Sequence, residues 1–264
     1  MGVLNVTPDS FSDGGELLST GGLVQDRLLE RASQMAADGA AILDIGGEST
    51  RPGAAPVSLQ EELDRVMGAV QLIASRLDVI LSIDTSTPEV MREAAQAGAG
   101  LLNDVRAFTR DGAMAAAAAS QLPVSLMHMS DEPDRMQAQT EYADVVTDVK
   151  AFLTHRIAAC REAGIARGQI MIDPGFGFGK TVAQNYEMLR RLEEFDSFDL
   201  PILVGVSRKS MIGAITGRPA SERVVSSAVL AVMSAARGAS VIRVHDVAET
   251  ADALAVWRAT EGEL

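Results

Sequence analysis

Eight short apolar runs recur along the chain, and nearly every one ends on a polar or charged residue. The runs lack the alternation of half-exposed strands, which is typical of parallel strands buried on both faces. They cover residues 3–5, 41–44, 79–84, 101–104, 124–128, 170–173, 202–207 and 241–245. Polar residues at the carboxyl ends of such strands favour a barrel whose chemistry gathers at one rim.

Amphipathic segments between the runs predict helices, so that strand and helix alternate. Residues 23–37 and 59–77 show apolar spacings of three and four, and Ser58 with Glu61 forms a capping box before the second of them. Further helices are predicted from Pro88 to a stop at Gly98, over 142–163 with a stop at Gly164, and over 182–192, 221–237 and 247–260.

The length of 264 residues matches one eight-stranded α/β barrel. Residues 1–264 are therefore predicted to form a single domain with the (β/α)8 TIM-barrel fold. An open doubly wound sheet is the alternative, but such a sheet usually begins with a glycine-rich dinucleotide-binding turn. The first strand here leads instead into Thr7-Pro8-Asp9.

The composition narrows the possible partners. The formal net charge is −13, and such an acidic surface repels nucleic acid and anionic membranes. Cys160 is the only cysteine, so it cannot form an intrachain disulfide, and its apolar neighbours predict a core residue. Residues 1–7 lack the basic and apolar regions of a signal peptide, and the longest apolar stretch is too short for a membrane span. A cytoplasmic protein is expected.

A glycine-rich segment, DPGFGFGKT at 173–181, lies between a strand and a helix, as a P-loop would. The Walker pattern requires a glycine at the position of Pro174, so a nucleotide triphosphatase is disfavoured. The glycines are predicted instead to let the backbone approach a flat ligand, with Phe176 or Phe178 packing near it.

Asp84, Asn103 and Asp173 each end a different strand. Such a set could serve acid–base chemistry, a metal site, or recognition of an amide-rich heterocycle. A carboxylate accepts two N–H bonds in one plane and an amide offers a donor beside an acceptor, which suits an aminopyrimidinone ring. The alternative is that each residue only caps the helix that follows its strand.

Basic residues also gather at strand ends in this acidic chain: Arg51, Arg208, Lys209, Arg243 and His245. The loops after the seventh and eighth strands are a frequent phosphate site of such barrels, so an anionic ligand is predicted there. Ion pairs with neighbouring acids are the alternative. The histidines lack the spacing of a tight transition-metal site. Residues 5–15 and 46–57 form long loops that are candidate lids over the rim.

Two of these loops carry motifs that resemble the signature loops of the dihydropteroate synthase family. They are LNVTPDSFSDGG at 4–15 and DIGGESTRPG at 44–53. The resemblance continues through SIDT at 82–85, LND at 102–104, MHM at 127–129, DPGFGFGK at 173–180, SRKS at 207–210 and IRVHD at 242–246. It spans essentially the whole chain.

The resemblance implies a cytoplasmic, usually dimeric barrel of folate biosynthesis. Such an enzyme joins 6-hydroxymethyl-7,8-dihydropterin diphosphate to p-aminobenzoate and releases pyrophosphate with Mg²⁺ present. Sulfonamides are the implied inhibitors, and the 207–213 loop lacks the extra residues of mobile sulfonamide-resistant relatives. Members of the family commonly carry a short segment before the first strand, whereas here Met1 directly precedes it.

The resemblance also implies a role for each matching residue. The pterin residues are Asp84, Asn103, Met127, Asp173, Gly177, Lys209 and Arg243. The p-aminobenzoate residues are Phe11, Thr50, Pro52, Phe178, Lys209 and Ser210. Pyrophosphate would meet Asn5, Arg51, Arg243 and His245, with Asn5 as the Mg²⁺ ligand. The catalytic set is Asp84, Lys209, Arg243 and His245.

Two other functions stay open at this level. A pterin-binding methyltransferase domain would share the barrel and the pterin acids but would lack the paired long loops. A non-catalytic phosphate-binding barrel would not need the three polar strand ends together. If the chain is the synthase, the leaving group meets charge-stabilising residues and the amine meets no strong base. Dissociative substitution is therefore predicted.

Overall fold

A computed structural model of the chain describes residues 1–6, 21–48, 57–132 and 135–262, without the side chains of 21–24. All eight predicted strands are present, although the last two are short. They are β1 (Gly2–Asn5), β2 (Ile42–Gly46), β3 (Ile80–Asp84), β4 (Leu101–Asp104), β5 (Val124–Met127), β6 (Ile170–Asp173), β7 (Leu203–Val204) and β8 (Val241–Ile242).

The strands close into a barrel. β1 to β6 pair in chain order and in parallel, and β7 pairs with β8. Single bridges between Ile172 and Ile202 and between Gly2 and Val244 join the two sheets on either side. The amide of Val3 donates to the carbonyl of Val244 at 2.9 Å across the closing seam. The predicted (β/α)8 fold is confirmed, and the open sheet is excluded.

Nine α-helices surround the described part of the barrel: α1 (Gly21–Ala37), α2 (Leu59–Ala74), α3 (Pro88–Gln96), α4 (Ala113–Ser120), α5 (Val145–Glu162), α6 (Val182–Arg190), α7 (Ser210–Thr216), α8 (Val224–Ala235) and α9 (Val247–Thr260). The sequence interpretation did not include α4 and α7, because the alanine-rich α4 has no apolar periodicity and α7 is only seven residues long. α5 begins at Val145, later than predicted, because Asp144 caps it by accepting from the amide of Thr147 at 2.8 Å.

The other local signals are also reproduced. The Oγ of Ser58 accepts from the amide of Glu61 at 3.3 Å and caps α2. Gly98 and Gly164 follow α3 and α5 with φ of 106° and 94°, which only glycine adopts readily. Cys160 is fully buried in the core, and burial raises the pKa of its thiol to about 11.

Side chains alternate along each strand, so every second residue points into the barrel. Leu43, Ile45 and their counterparts in neighbouring strands pack outward against the helices. A separate small cluster of Leu101, Met171 and Leu203 fills the barrel's lower interior. Above this apolar plug, the inward positions of β2 to β4 become polar, and they form the base of the site.

Candidate functional site

The strand register brings the ends of β1 to β4 together. Gly46 lies beside Asp84, which lies beside Asn103, and Asn5 is on the other side of Gly46. A Cβ on Gly46 would meet Cβ of Asp84 at 3.5 Å and Oδ1 of Asn5 at 3.6 Å. The missing side chain therefore leaves room for Asn5 and Asp84 to face each other across β2.

Arg243, which directly follows β8, reaches into this polar layer. Its Nη2 donates to Oδ2 of Asp84 at 2.8 Å, and its Nε donates to Oδ2 of Asp44 at 2.5 Å. Asp44 is fully buried in β2. The sequence interpretation assigned Asp44 no role, although it ends an apolar run just as Asp84 and Asp173 do.

The opposite side of the mouth is formed by the loops after β6 and β7. The ammonium of Lys209 donates to the carbonyl of Phe176 and lies 4.7 Å from the ring centroid of Phe178. Gly177, with φ of 81°, lets the backbone pass beneath this lysine, since a Cβ there would lie 3.1 Å from Cδ of Lys209. The side chains of Lys209 and Phe178 and the backbone of Gly177 thus form one side of the barrel mouth.

Asp173 ends β6 in register with Met127 of β5, and both are buried. One carboxylate oxygen of Asp173 accepts from the amide of Gly175 at 2.7 Å. A Cβ on Gly175 would lie 1.8 Å from the carbonyl oxygen of His128, so only glycine fits this turn. The turn fixes the carboxylate and starts the loop that carries Phe178.

Burial sets the protonation behaviour of the site. It raises the pKa of Asp84 to about 7, against the opposing effect of Arg243, and it raises the pKa of Asp173 against Lys209. It also lowers the pKa of Lys209 to about 8, with Asp173 opposing. For Arg243, burial alone would lower the pKa, but the carboxylates of Asp44 and Asp84 outweigh it, so the guanidinium stays charged.

The basic residues after β7 and β8 divide into two groups. Arg208 forms an ion pair with Asp246, with Nε donating to Oδ2 at 2.9 Å, so the alternative of an ion pair with a neighbouring acid holds for this residue. His245 contacts Ser207, in the segment that follows β7. Its Nδ1 is 3.0 Å from Oγ of Ser207, which also accepts from the backbone amide of His245 at 3.2 Å.

Lys180 does not serve as a P-loop lysine. It is buried, and its ammonium donates to Nδ1 of His128 at 2.9 Å and to the carbonyls of Gly175 and Phe178 at 2.9 and 3.0 Å. Burial lowers the pKa of Lys180 to about 7. In its ammonium form Lys180 can only donate, and His128 then accepts through Nδ1 and carries its proton on Nε2. Burial followed by the charge of Lys180 lowers the pKa of His128 to about 2, so the ring is neutral.

Several predicted residues lie outside the described part of the chain: Phe11, Thr50, Arg51 and Pro52. Most of the two predicted lid loops lies there as well. Ser210 opens α7 and is exposed beside Lys209. Among the described residues, no three His, Cys, Asp or Glu side chains form a metal cluster.

Comparison with known proteins agrees with this geometry. The model of the pterin binding enzyme family matches residues 1–245. The dihydropteroate synthase of Escherichia coli K12 is 52% identical over 260 residues, which is 98% of this chain and 90% of that protein. The chain belongs to the dihydropteroate synthase family.

Solved structures of dihydropteroate synthases have the same fold. A crystal structure of the Yersinia pestis enzyme in a sulfonamide drug complex is 51% identical, with a TM-score of 0.93 and coverage of 99% of this chain and 94% of that one. The Xanthomonas albilineans enzyme in complex with 7,8-dihydropteroate is 44% identical, with a TM-score of 0.88 and coverage of 99% and 92%.

Identity at this level over nearly the full length favours a dihydropteroate synthase over a pterin-binding methyltransferase domain. It also disfavours a non-catalytic phosphate-binding barrel. In the part of the chain that the structure describes, no helix combines the length and apolar character needed to cross a membrane.

Proposed function

We propose that this protein joins 6-hydroxymethyl-7,8-dihydropterin diphosphate to p-aminobenzoate, forming 7,8-dihydropteroate and pyrophosphate in folate biosynthesis. The supporting observation is the polar interior of the barrel mouth, where Asp84, Asn103 and Arg243 converge above an apolar plug. Membership of the synthase family indicates which substrates we assign to this arrangement.

The pterin would lie between the strand ends and the loop after β6. Asp84, Asn103 and Asp173 supply acceptors for the ring N–H groups, and each charge-assisted bond contributes about 1.5–3 kcal/mol. Met127 offers a buried apolar contact, and Gly177 leaves space for the flat ring. The guanidinium of Arg243 would stack over the ring, as the family resemblance implies.

p-Aminobenzoate would approach from the side of Phe178, Lys209 and Ser210. The aromatic ring and the ammonium lie 4.7 Å apart, and they offer an apolar face beside a positive charge for the carboxylate. The remaining proposed contacts, Phe11, Thr50 and Pro52, come from the two signature loops of the sequence.

The diphosphate would meet Arg243 and His245 from the segment after β8, with Asn5 from β1 and Arg51 from the second loop. Asn5 suits Mg²⁺, because this ion often takes only one or two protein oxygens and completes its octahedron with phosphate oxygens and water. When bound, the ion would neutralise charge on the departing pyrophosphate.

The chemistry of these residues supports dissociative substitution. The C–O bond to the methylene breaks first, and pyrophosphate leaves with the electron pair beside Arg243 and His245. The pterin ring shares the resulting positive charge, which Asp84 and Asp173 favour in their ionised forms. The amine of p-aminobenzoate then forms the C–N bond and loses a proton. No step requires a strong base beside the amine.

A direct assay tests the function. Purified protein with both substrates and Mg²⁺ should release pyrophosphate and form 7,8-dihydropteroate in equal amounts. The product should disappear when either substrate is omitted. A methyl-tetrahydropterin donor should give no demethylated product, and turnover of that donor without dihydropteroate formation would support the methyltransferase alternative instead.

A homodimer is the proposed assembly, and α8 offers the surface. Val225, Val229 and Met233 lie four residues apart on one face of this helix and are 77%, 53% and 37% exposed. The neighbouring α9 adds Val256. An apolar stripe of this kind is typical of a protein interface. A cytoplasmic location, which the resemblance implies, completes the proposal.

Sedimentation tests the assembly. The wild type should sediment as a dimer, and Val229→Asp should shift it to monomer because a charge would be buried at the interface. Leu59→Glu places a charge on an equally apolar but separate position of α2 and should leave the dimer intact. A wild-type monomer at micromolar concentration would contradict the proposal.

A further inference from the structure

Asp44 is a fully buried carboxylate of the barrel interior. It has no exposed surface, and each of its contacts is a donor from a different strand or strand end. Arg243 Nε and Ser82 Oγ donate to it at 2.5 Å each, and Asn103 Nδ2 lies 3.3 and 3.5 Å from its two oxygens. Two of these three partners belong to the proposed pterin site.

We infer that Asp44 is a positioning residue, which holds Arg243 and Asn103 in the orientation that the pterin diphosphate requires. The inference rests on the proposed function, because it assigns Asp44 a role toward that substrate. Asp44 lies one inward layer below Asp84, so it acts through these two side chains and does not itself face the ligand.

The action on Asn103 follows from hydrogen-bond chemistry. An ionised carboxylate has no proton to donate, so it can pair only with the amino side of the Asn103 amide. The carbonyl oxygen of Asn103 is then directed away from Asp44. Because Asn103 is in register with Asp84, the amide oxygen joins that carboxylate in an acceptor-rich wall. Such a wall selects a ligand edge that is rich in N–H donors.

The action on Arg243 is geometric. Asp44 binds Nε and Asp84 binds Nη2, and these two nitrogens lie on one edge of the planar guanidinium. Holding this edge fixes the plane of the group. Nη1 makes no hydrogen bond within the described residues, so it is available to the diphosphate. Loss of Asp44 would leave the plane held by Asp84 alone, at the site where the pterin also binds.

The substitution Asp44→Asn tests the inference, since it keeps the shape of the side chain and removes its charge. It should lower kcat/KM for the pterin diphosphate at least tenfold and change the KM for p-aminobenzoate less than twofold. Asp104→Asn is the matched control. Asp104 is an equally buried carboxylate on β4, but among the described residues its hydrogen bonds come only from Ser86 and the backbone amides of Arg106 and Phe108. This control should lower the melting temperature without the selective loss.

A double-mutant cycle separates positioning from a general structural role. In an Arg243→Lys background the guanidinium and its hydrogen bonds to Asp44 and Asp84 are absent. There, Asp44→Asn should change the activation free energy calculated from kcat/KM for the pterin diphosphate by less than half as much as in the wild type. The inference would be overturned if Asp44→Asn changed this free energy equally in the two backgrounds. It would also be overturned if kcat/KM fell equally for both substrates.

If Asp44→Asn does not fold, Asp44→Glu provides the same test, because it keeps the charge and displaces it by one methylene. A folded Asp44→Glu enzyme with wild-type constants would also refute the positioning role. Failure of the proposed function is distinguishable, because the wild type itself would then form no dihydropteroate.

Discussion

Arg243 and Asp84 form an ion pair across the mouth of the barrel, with Nη2 and Oδ2 2.8 Å apart. Both groups are proposed to bind the same substrate at different points, Asp84 at the ring and Arg243 at the ring face and diphosphate. In the free protein each therefore satisfies the other. An arriving pterin must share or replace this bond, so part of its binding energy goes into separating the pair.

Asp84 should make stability pH-dependent. Burial raises its pKa from 3.8 to about 7, so between these values the folded state holds a proton that the unfolded state has lost. Stability contributed by Asp84 should therefore fall as pH rises from about 4 to about 7, with a limiting slope of about 1.4 kcal/mol per pH unit. Urea unfolding of the wild type and Asp84→Asn across this range measures the difference, which should level off above pH 7. A constant difference would contradict the raised pKa.

Asp173→Ala should weaken pterin binding more than tenfold while the fold survives. Removing one partner of a buried charge-assisted contact typically costs about 2–5 kcal/mol. Calorimetric titration with a pterin ligand measures the loss, and Asp111→Ala, which removes an exposed acid, is the control. Unchanged affinity in a folded Asp173→Ala protein would reject the assignment.

Lys180→Met should destabilise the loop that carries Phe178. The methionine side chain has a similar length but cannot donate a hydrogen bond, so the carbonyls of Gly175 and Phe178 would lose their donor. Each unsatisfied carbonyl should lower the free energy of unfolding by about 1–3 kcal/mol. Relief of the buried charge offsets part of this cost. Thermal unfolding should show a lower melting temperature, and the KM for p-aminobenzoate should rise. Lys150→Met, which loses one exposed contact to the carbonyl of Glu194, should do neither.

Sulfonamides should inhibit the enzyme in competition with p-aminobenzoate. Phe178, Lys209 and Ser210 match the proposed pocket, and a modest steric difference gives only about 1–3 kcal/mol of discrimination in such a site. Double-reciprocal plots of initial rate against p-aminobenzoate concentration, one for each drug concentration, should intersect on the reciprocal-rate axis. The drug would then leave the maximal rate unchanged. Absence of inhibition at millimolar drug would count against the pocket.

Dissociative substitution predicts positional isotope exchange. With ¹⁸O in the bridging C–O position and p-aminobenzoate absent, reversible cleavage should move the label into the non-bridging positions of the same phosphate. Nuclear magnetic resonance of phosphorus follows the exchange. A label that stays in place, together with rates that rise steeply with the basicity of substituted anilines, would indicate direct displacement.

The local sequence pattern was sufficient to predict the barrel fold. Strands buried on both faces read as continuous apolar runs, and all eight runs became strands. Parallel strands also bring their carboxyl ends to one rim, so Asp84, Asn103 and Asp173 could be grouped from the sequence alone. The alanine-rich α4 was not predicted, because burial of alanine leaves no periodic signal.

Pairing between distant residues was decided only by the tertiary structure. Asp44 and Arg243 are 199 positions apart, and Arg208 pairs with an acid 38 positions away while Lys209, the next residue, faces the site. Nothing in a local pattern states which of two adjacent cations turns inward. That choice depends on the closed barrel, in which the register of all eight strands fixes which side chains meet and which charges are balanced.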